Sequence, residues 1–273
     1  MNKTILITGS SAGIGKAAAQ FFAAKGWNVI ATMRSPEKET VLTTINNVFV
    51  TRLDVQEKAD MQQVIAEGIK RFGKIDVLLN NAGYGLFGPF ELATDAQIKQ
   101  QFDVNVFGLM NLTQAILPHF RANKAGTIIN VSSIGGRITY PIVSMYHATK
   151  FAVEGFSESL AYELAALNIK VKLVEPGAIA TGFDMAANFT GNPEITDYDN
   201  FVQGFLDIWG SKTQERTTPE QVAAVIYEAA TDGSSRLRYQ AGEDAKELVK
   251  IRMAGDEEYH AYMKEHWVPE MEE

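Results

Sequence analysis

The chain has 273 residues, 46% of them apolar and 21% charged, so it can bury a full core and is not disordered by composition. Its net charge of -8 argues against a nucleic-acid binder, and Glu270, Glu272 and Glu273 supply part of the acidic excess. It has no cysteine, which rules out disulfides, thiolate nucleophiles and cysteine-held metals, and its four histidines (119, 147, 260 and 266) show no metal spacing.

The first apolar run, TILIT (4–8), leads directly into Thr8-Gly9-Ser10-Ser11-Ala12-Gly13-Ile14-Gly15 and then a helical pattern over 16–26. A glycine-rich turn between strand and helix aims backbone N–H groups and the helix N-terminus at an anion. Gly9 permits the sharp turn, Gly13 a close approach to a pyrophosphate, and Gly15 a close helix–strand contact. The spacing is G-x-x-x-G-x-G rather than the commoner G-x-G-x-x-G, and alone it suits any nucleotide binder.

The second run, WNVIAT (27–32), ends in Thr32-Met33-Arg34-Ser35 with no acid before Glu37. An acid there reads the ribose hydroxyls of NAD, whereas an arginine accommodates the 2′-phosphate of NADP. Arg34, with Ser35 beside it, is the candidate phosphate ligand; a solvated loop arginine is the competing reading. The missing acid weighs as much as the arginine, and NADP(H) is favoured over NAD(H). After the third run, VFVTRLDV (48–55), Asp54 is placed either to bind an adenine amino group or to cap the next helix, 59–73.

IDVLLNNA (75–82), a long helical pattern over 95–123, TIINVSS (127–133), a helix from Tyr146 to 168, and IKVKLVEP (169–176) follow. Continuously apolar strands fit a sheet covered on both faces, and the strand–helix alternation predicts right-handed crossovers in a parallel, doubly wound α/β sheet. Residues 177–217 are irregular, TTPEQVAAVIYEAAT (217–231) resumes helix, and a last strand is expected near 236–241. The charged helix beyond it is expected to face solvent. One domain over 1–273 is expected, with a substrate lid at about 182–217 and a C-terminal helical extension at about 243–273. The apolar run near the N-terminus is too short for a signal-peptide core and no stretch reaches membrane-spanning length, so a cytoplasmic protein with no membrane partner is expected.

Tyr146 and Lys150 are four residues apart in YHATK and project from one helix face. A phenol near pKa 10 is a poor base at neutral pH, and an adjacent ammonium favours its phenolate. Ser132 and Ser133 end the preceding strand at the same sheet edge, where a hydroxyl can hold a carbonyl oxygen. Each feature alone is commonplace; their meeting at one edge is not.

Together these motifs resemble the short-chain dehydrogenase/reductase family, in its single-domain branch, over roughly residues 3–181. TGSSAGIG matches its T-G-x-x-x-G-x-G, NNAG (80–83) its strand-four motif, and YHATK its Y-x-x-x-K. Asn105 and Ser133, thirteen positions before Tyr146, match the family asparagine and serine, with Ser132 ranked second. The resemblance implies a Rossmann-type three-layer α/β/α sandwich with a mostly parallel sheet of about seven strands. It implies a cofactor held by Gly9, Ser11, Gly13, Ile14, Gly15, Arg34, Ser35, Asp54 and Val55, then by Asn81, Ala82, Gly83, Tyr146 and Lys150. Pro176, Gly177, Ile179 and Thr181 complete that set near the nicotinamide.

The family mechanism is carbonyl–alcohol interconversion. In reduction Tyr146 protonates the oxygen, Ser133 holds it, Lys150 lowers the tyrosine pKa and grips the ribose, and Asn105 keeps a water-mediated relay. A homodimer or homotetramer through the helices at 95–123 and 146–168 is implied as well. Tyr140, Met145, Phe183, Phe189 and Phe205 are candidate substrate contacts, with Met185, Phe201 and Trp209 nearby; an apolar lid points to a hydrophobic small molecule, unless these rings only pack the lid onto the sheet. His147 is expected to border the pocket. A cofactor-sensing regulator without turnover, and epimerisation, dehydration or double-bond reduction on the same scaffold, are the alternatives.

Overall fold

The computed structural model describes residues 2–181, 188–212 and 216–270, so Phe183 and Met185 lie outside the described residues. β1 (Thr4–Ile7) is buried along its length and runs through the glycine turn into α1 (Gly13–Ala24). β2 (Asn28–Met33) and β3 (Val48–Arg52) follow, then α2 (Lys58–Phe72), β4 (Val77–Asn80) and the short β5 (Leu86–Phe87). The pattern over 95–123 is not one helix. It is α3 (Asp95–Phe102), a wide π-helical segment (Asp103–Gly108) and α4 (Leu109–Asn123). Such segments recur at functional sites, and this one contains Asn105.

β6 (Gly126–Val131) leads to α5 (Ser144–Ala165), which starts two residues before Tyr146 and keeps Tyr146 and Lys150 on one face. β7 (Ile169–Pro176), β8 (Asn188–Phe189), α6 (Asp199–Lys212) and α7 (Pro219–Thr231) come next. Thr218 and Gln221 form a capping box at the start of α7, with Pro219 at its first turn. β9 (Arg238–Ala241), α8 (Glu243–Ala254) and α9 (Asp256–Trp267) complete the described chain.

The main sheet has seven strands in the order β3-β2-β1-β4-β6-β7-β9, and every pair is parallel. Parallel strands need crossovers, and the helices supplying them cover both faces. Ala18, Phe22 and Ile226 from α1 and α7 pack against one face, and Leu112, Ile116, Phe120 and Leu160 from α4 and α5 against the other. The order reverses between β1 and β4, which opens a crevice at their C-terminal ends. Phe120 is fully buried in the second layer. Phe120→Ala is expected to cost about 3–5 kcal/mol of stability, read as a lower urea midpoint with an unchanged slope.

The C-terminal helices do not face solvent as the sequence suggests. Ala245, Leu248, Tyr259, Met263 and Trp267 are buried, forming a third cluster with Ile134, Ile138, Val143 and Phe205. The charges occupy the outer faces of α8 and α9, while an apolar stripe at Tyr259, Met263 and Trp267 turns inward. β8 pairs with β5, which brings Phe189 to 5.8 Å from Phe87.

Candidate active site

The glycine turn is locked to the end of β4 by a reciprocal set of hydrogen bonds. Thr8 Oγ1 accepts the N–H groups of Asn81 and Ala82 at 2.9 and 3.0 Å, and Asn81 Nδ2 donates to the carbonyls of Thr8 and Gly9. Gly9 adopts φ 70°, and a Cβ on Gly15 would lie 2.2 Å from the Gly9 carbonyl oxygen. Only hydrogen fits there, so helix α1 starts tightly against the turn with its free N–H groups in the crevice.

One cavity of about 810 Å³ runs from this turn along the C-terminal ends of the strands. Gly9, Ser11, Gly13 and Ile14 line it from the turn, and Arg34, Asp54 and Val55 from the ends of β2 and β3. Asn81, Ala82 and Gly83 line it beyond β4, and Pro176, Gly177, Ile179 and Thr181 beyond β7. Ser132, Ser133, Tyr146 and Lys150 form its middle wall, and Tyr140, Phe189 and Phe205 its apolar end. Gly15, Ser35, Asn105 and Met145 are not on the wall; Gly15 and Asn105 sit directly behind it. Asp54 does not cap α2, whose N-cap is Glu57; its Oδ1 accepts the Gln56 N–H in a local turn.

Lys150 is buried and donates to the Val131 carbonyl at 3.0 Å, with its ammonium 5.6 Å from the centre of the Tyr146 ring. Burial pulls its pKa down to about 8, against the opposing pull of Glu154. The ammonium is therefore the dominant form at neutral pH, and it is lost as pH rises through that value. Asn105 is buried in the π-helical segment, where Nδ2 donates to the Tyr84 carbonyl and Thr149 Oγ1 while Oδ1 accepts the Tyr84 N–H. A Cβ on Gly83 would lie 3.1 Å from Asn105 Oδ1 and 3.9 Å from Lys150 Nζ, so both groups lie close to this one glycine.

Ser133 Oγ accepts the Gly135 N–H at 3.0 Å, which leaves its own O–H available. His147 does more than border the pocket. It is buried, with Nδ1 donating to the Gly135 carbonyl at 2.7 Å and Nε2 accepting the Tyr140 N–H at 2.8 Å. Burial pushes its pKa down to about 4, so it is a neutral strut between the Ser133 turn and Tyr140.

The C-terminal contribution to the cavity was not legible in the motifs: Asp244, Leu248 and Trp267 line it. Asp244 Oδ2 accepts the Ala178 N–H at 2.6 Å, tying α8 to the turn after β7. Trp267 packs 4.6 Å from Tyr140. The apolar spacing of Tyr259, Met263 and Trp267 was the signal that these helices turn inward. Among the described residues no group of histidines and acids could hold a metal, and no helix is long and apolar enough to cross a membrane.

The family pattern for short chain dehydrogenases matches residues 3–191. A 3-ketodihydrosphingosine reductase from Bacteroides thetaiotaomicron is 38% identical over 242 residues, covering 87% of each chain. A solved short-chain dehydrogenase from Streptomyces avermitilis superposes with a TM-score of 0.82 at 34% identity, covering 97% of this chain and 96% of its own. The structure of ElxO with NADP bound gives a TM-score of 0.74 at 29% identity, covering 89% of this chain and 98% of its own. The chain is an oxidoreductase of the short-chain dehydrogenase family, whose enzymes act on CH–OH groups.

Proposed function

We propose that this protein is an NADP(H)-dependent oxidoreductase that interconverts a ketone or aldehyde with its alcohol on a hydrophobic substrate, with Tyr146 as the acid/base. The observation that carries this is one continuous cavity whose glycine-turn end suits a dinucleotide and whose aromatic end suits an apolar molecule, with Ser133, Tyr146 and Lys150 between them.

The residues present fit NADP. Gly9, Ser11, Gly13 and Ile14 line the cavity where α1 begins, so its free N–H groups face the space a pyrophosphate would take. Arg34 lines the cavity with no acidic partner among the described residues. The solved relative ElxO holds NADP. Lys150 would hold a ribose hydroxyl, and Asn81, Ala82 and Gly83, which line the cavity, would flank the cofactor. NADPH, when bound, supplies the hydride.

Ser133 donates its hydroxyl hydrogen to the carbonyl oxygen and fixes its position. Tyr146 gives that oxygen a proton in reduction and takes it back in oxidation. Lys150, charged below about pH 8, stabilises the phenolate left behind. Asn105 holds the Tyr84 backbone and the α5 turn at Thr149, keeping the relay path behind Lys150 in register. Phe205, which is buried, and Phe189 line the apolar end of the cavity beside this step.

Arg34→Ala is expected to weaken NADPH binding by about 10–100-fold and to leave NADH binding within about twofold, because only the 2′-phosphate loses a charge-assisted partner. Fluorescence titration with both nucleotides reads this, and equal losses for the two would contradict the assignment. The activity itself is tested by incubating the protein with NADPH and an apolar ketone and identifying the product. Accumulation of the alcohol is the expected result; tight NADPH binding without product would favour a cofactor-sensing regulator.

A further inference from the structure

The inner side of α5 carries a charge cluster that proton transfer, as described, does not use. Glu154 lies one helical turn beyond Lys150 and is 5% exposed. Its Oε2 accepts from Arg238 Nε on β9 at 3.0 Å, and Arg238 Nη2 also donates to Glu158 Oε2 at 2.5 Å. Arg238 Nε is 3.3 Å from Oε1 of Glu175, a fully buried residue of β7. Glu175 in turn accepts from Arg137 Nη1 at 3.1 Å and from Gln240 Nε2 at 2.6 Å.

Three carboxylates, Glu154, Glu158 and Glu175, thus face two arginines, which leaves one negative charge in excess. Lys150 is the cation that completes the balance. The cluster reaches it from two sides. Along α5, Glu154 follows Lys150 by four residues. Through β6, Lys150 donates to the Val131 carbonyl, and the next residue, Ser132, lies against Glu154. A Cβ on Gly136 would be 2.8 Å from both Ser132 Oγ and Glu154 Cγ, and 3.0 Å from the Lys150 carbonyl.

Ser132 Oγ and Glu154 Oε1 are both buried. The serine favours the charged carboxylate, yet no hydrogen bond of normal geometry closes between them. Burial, with the Glu175 carboxylate beside it, raises the Glu154 pKa to about 7. The group thus titrates near neutral pH, one helical turn from a lysine whose pKa burial has lowered to about 8.

We propose that Glu154 is a positioning residue: its carboxylate, held by Arg238 one helical turn beyond Lys150, is the counter-charge that keeps Lys150 protonated in its buried seat. This rests on the role given to Lys150 above. The groups around Glu154 are Lys150 and Glu158 from α5, Glu175 from β7, Arg238 from β9 and Ser132 at the end of β6, with Arg137 paired to Glu175 beyond them. Removing its negative charge makes the ammonium of Lys150 less favourable, so Lys150 loses its proton at lower pH.

The test compares wild type, Glu154→Gln and Glu154→Asp in two readouts. One is the pH profile of kcat/KM for NADPH-dependent reduction of an apolar ketone. The other is the pH dependence of reductive methylation of Lys150 in the cofactor-free protein, read by peptide mass. Glu154→Gln is expected to move the alkaline limb and the Lys150 labelling curve about one pH unit downward, about a tenfold change in the charged fraction above the midpoint. Glu154→Asp, which keeps the carboxylate, moves both back toward wild type.

A uniform loss of rate at every pH with unmoved labelling curves would overturn the proposal, because a merely structural glutamate gives that pattern. An equal downward shift in Glu154→Asp, which keeps the carboxylate, would overturn it as well. If Glu154→Gln fails to fold, Glu154→Met removes the same charge and carries the test, and an unmoved labelling curve there overturns the proposal. Absence of ketone reduction in wild type would count against the proposed activity instead, and the labelling curves would still decide the link between Glu154 and Lys150.

Discussion

Tyr146→Phe is expected to lower turnover by about 10²–10⁴-fold while NADPH binding stays near wild type. The ring itself is part of the packing: it lies edge-on to Phe87 at 6.3 Å and under the Lys150 ammonium at 5.6 Å. Phenylalanine keeps both contacts and removes only the hydroxyl. The loss should therefore fall on kcat rather than on stability or on the nucleotide dissociation constant. Stopped-assay turnover and a fluorescence titration on one preparation separate these. Wild-type turnover in the variant would remove Tyr146 from the chemistry, and a matched loss of NADPH affinity would recast it as a binding residue.

The second large effect lies at the other end of the cavity. Gly15→Ala places a methyl group 2.2 Å from the Gly9 carbonyl oxygen and 2.5 Å from Asn81 Nδ2, both held in the lock between the glycine turn and β4. Neither neighbour can move without breaking the bonds from Asn81 to Thr8 and Gly9. Overpacking of this kind costs about 1–3 kcal/mol. Displacing the turn then weakens NADPH binding by roughly 10–100-fold or more. Calorimetric titration measures it, and unchanged affinity would mean that the turn does not hold the dinucleotide.

The parts of the site carried by local spacing were legible in the sequence. Three glycines at a strand–helix junction, and a tyrosine four residues before a lysine, dictate their geometry through backbone sterics and helix pitch alone. The sheet was legible for the same reason, since continuous apolar runs mark strands buried on both faces. The π-helical segment was not. The 3.6-residue pattern runs unbroken across Asp103–Gly108, and the wide turn goes with a tertiary demand: Asn105 makes three hydrogen bonds to Tyr84 and Thr149. His147 borders the cavity as expected, but its strut role was not legible, because both partners of its ring, Gly135 and Tyr140, lie on the preceding loop. In α8 and α9, exposed charges outnumber the inward stripe, so composition pointed to solvent while Leu248 and Trp267 reach the cavity. Of the lid residues read from sequence, Phe189 and Phe205 line the cavity, and Phe183 lies outside the described residues.

The most direct measurement is oxidation of NADPH by the wild-type protein against a panel of ketones, aldehydes and quinones, with NADH run in parallel and products identified. The expected result is alcohol formed from an apolar carbonyl compound, faster with NADPH than with NADH and lost in Tyr146→Phe. Tight NADPH binding with no carbonyl consumed anywhere in the panel would contradict it.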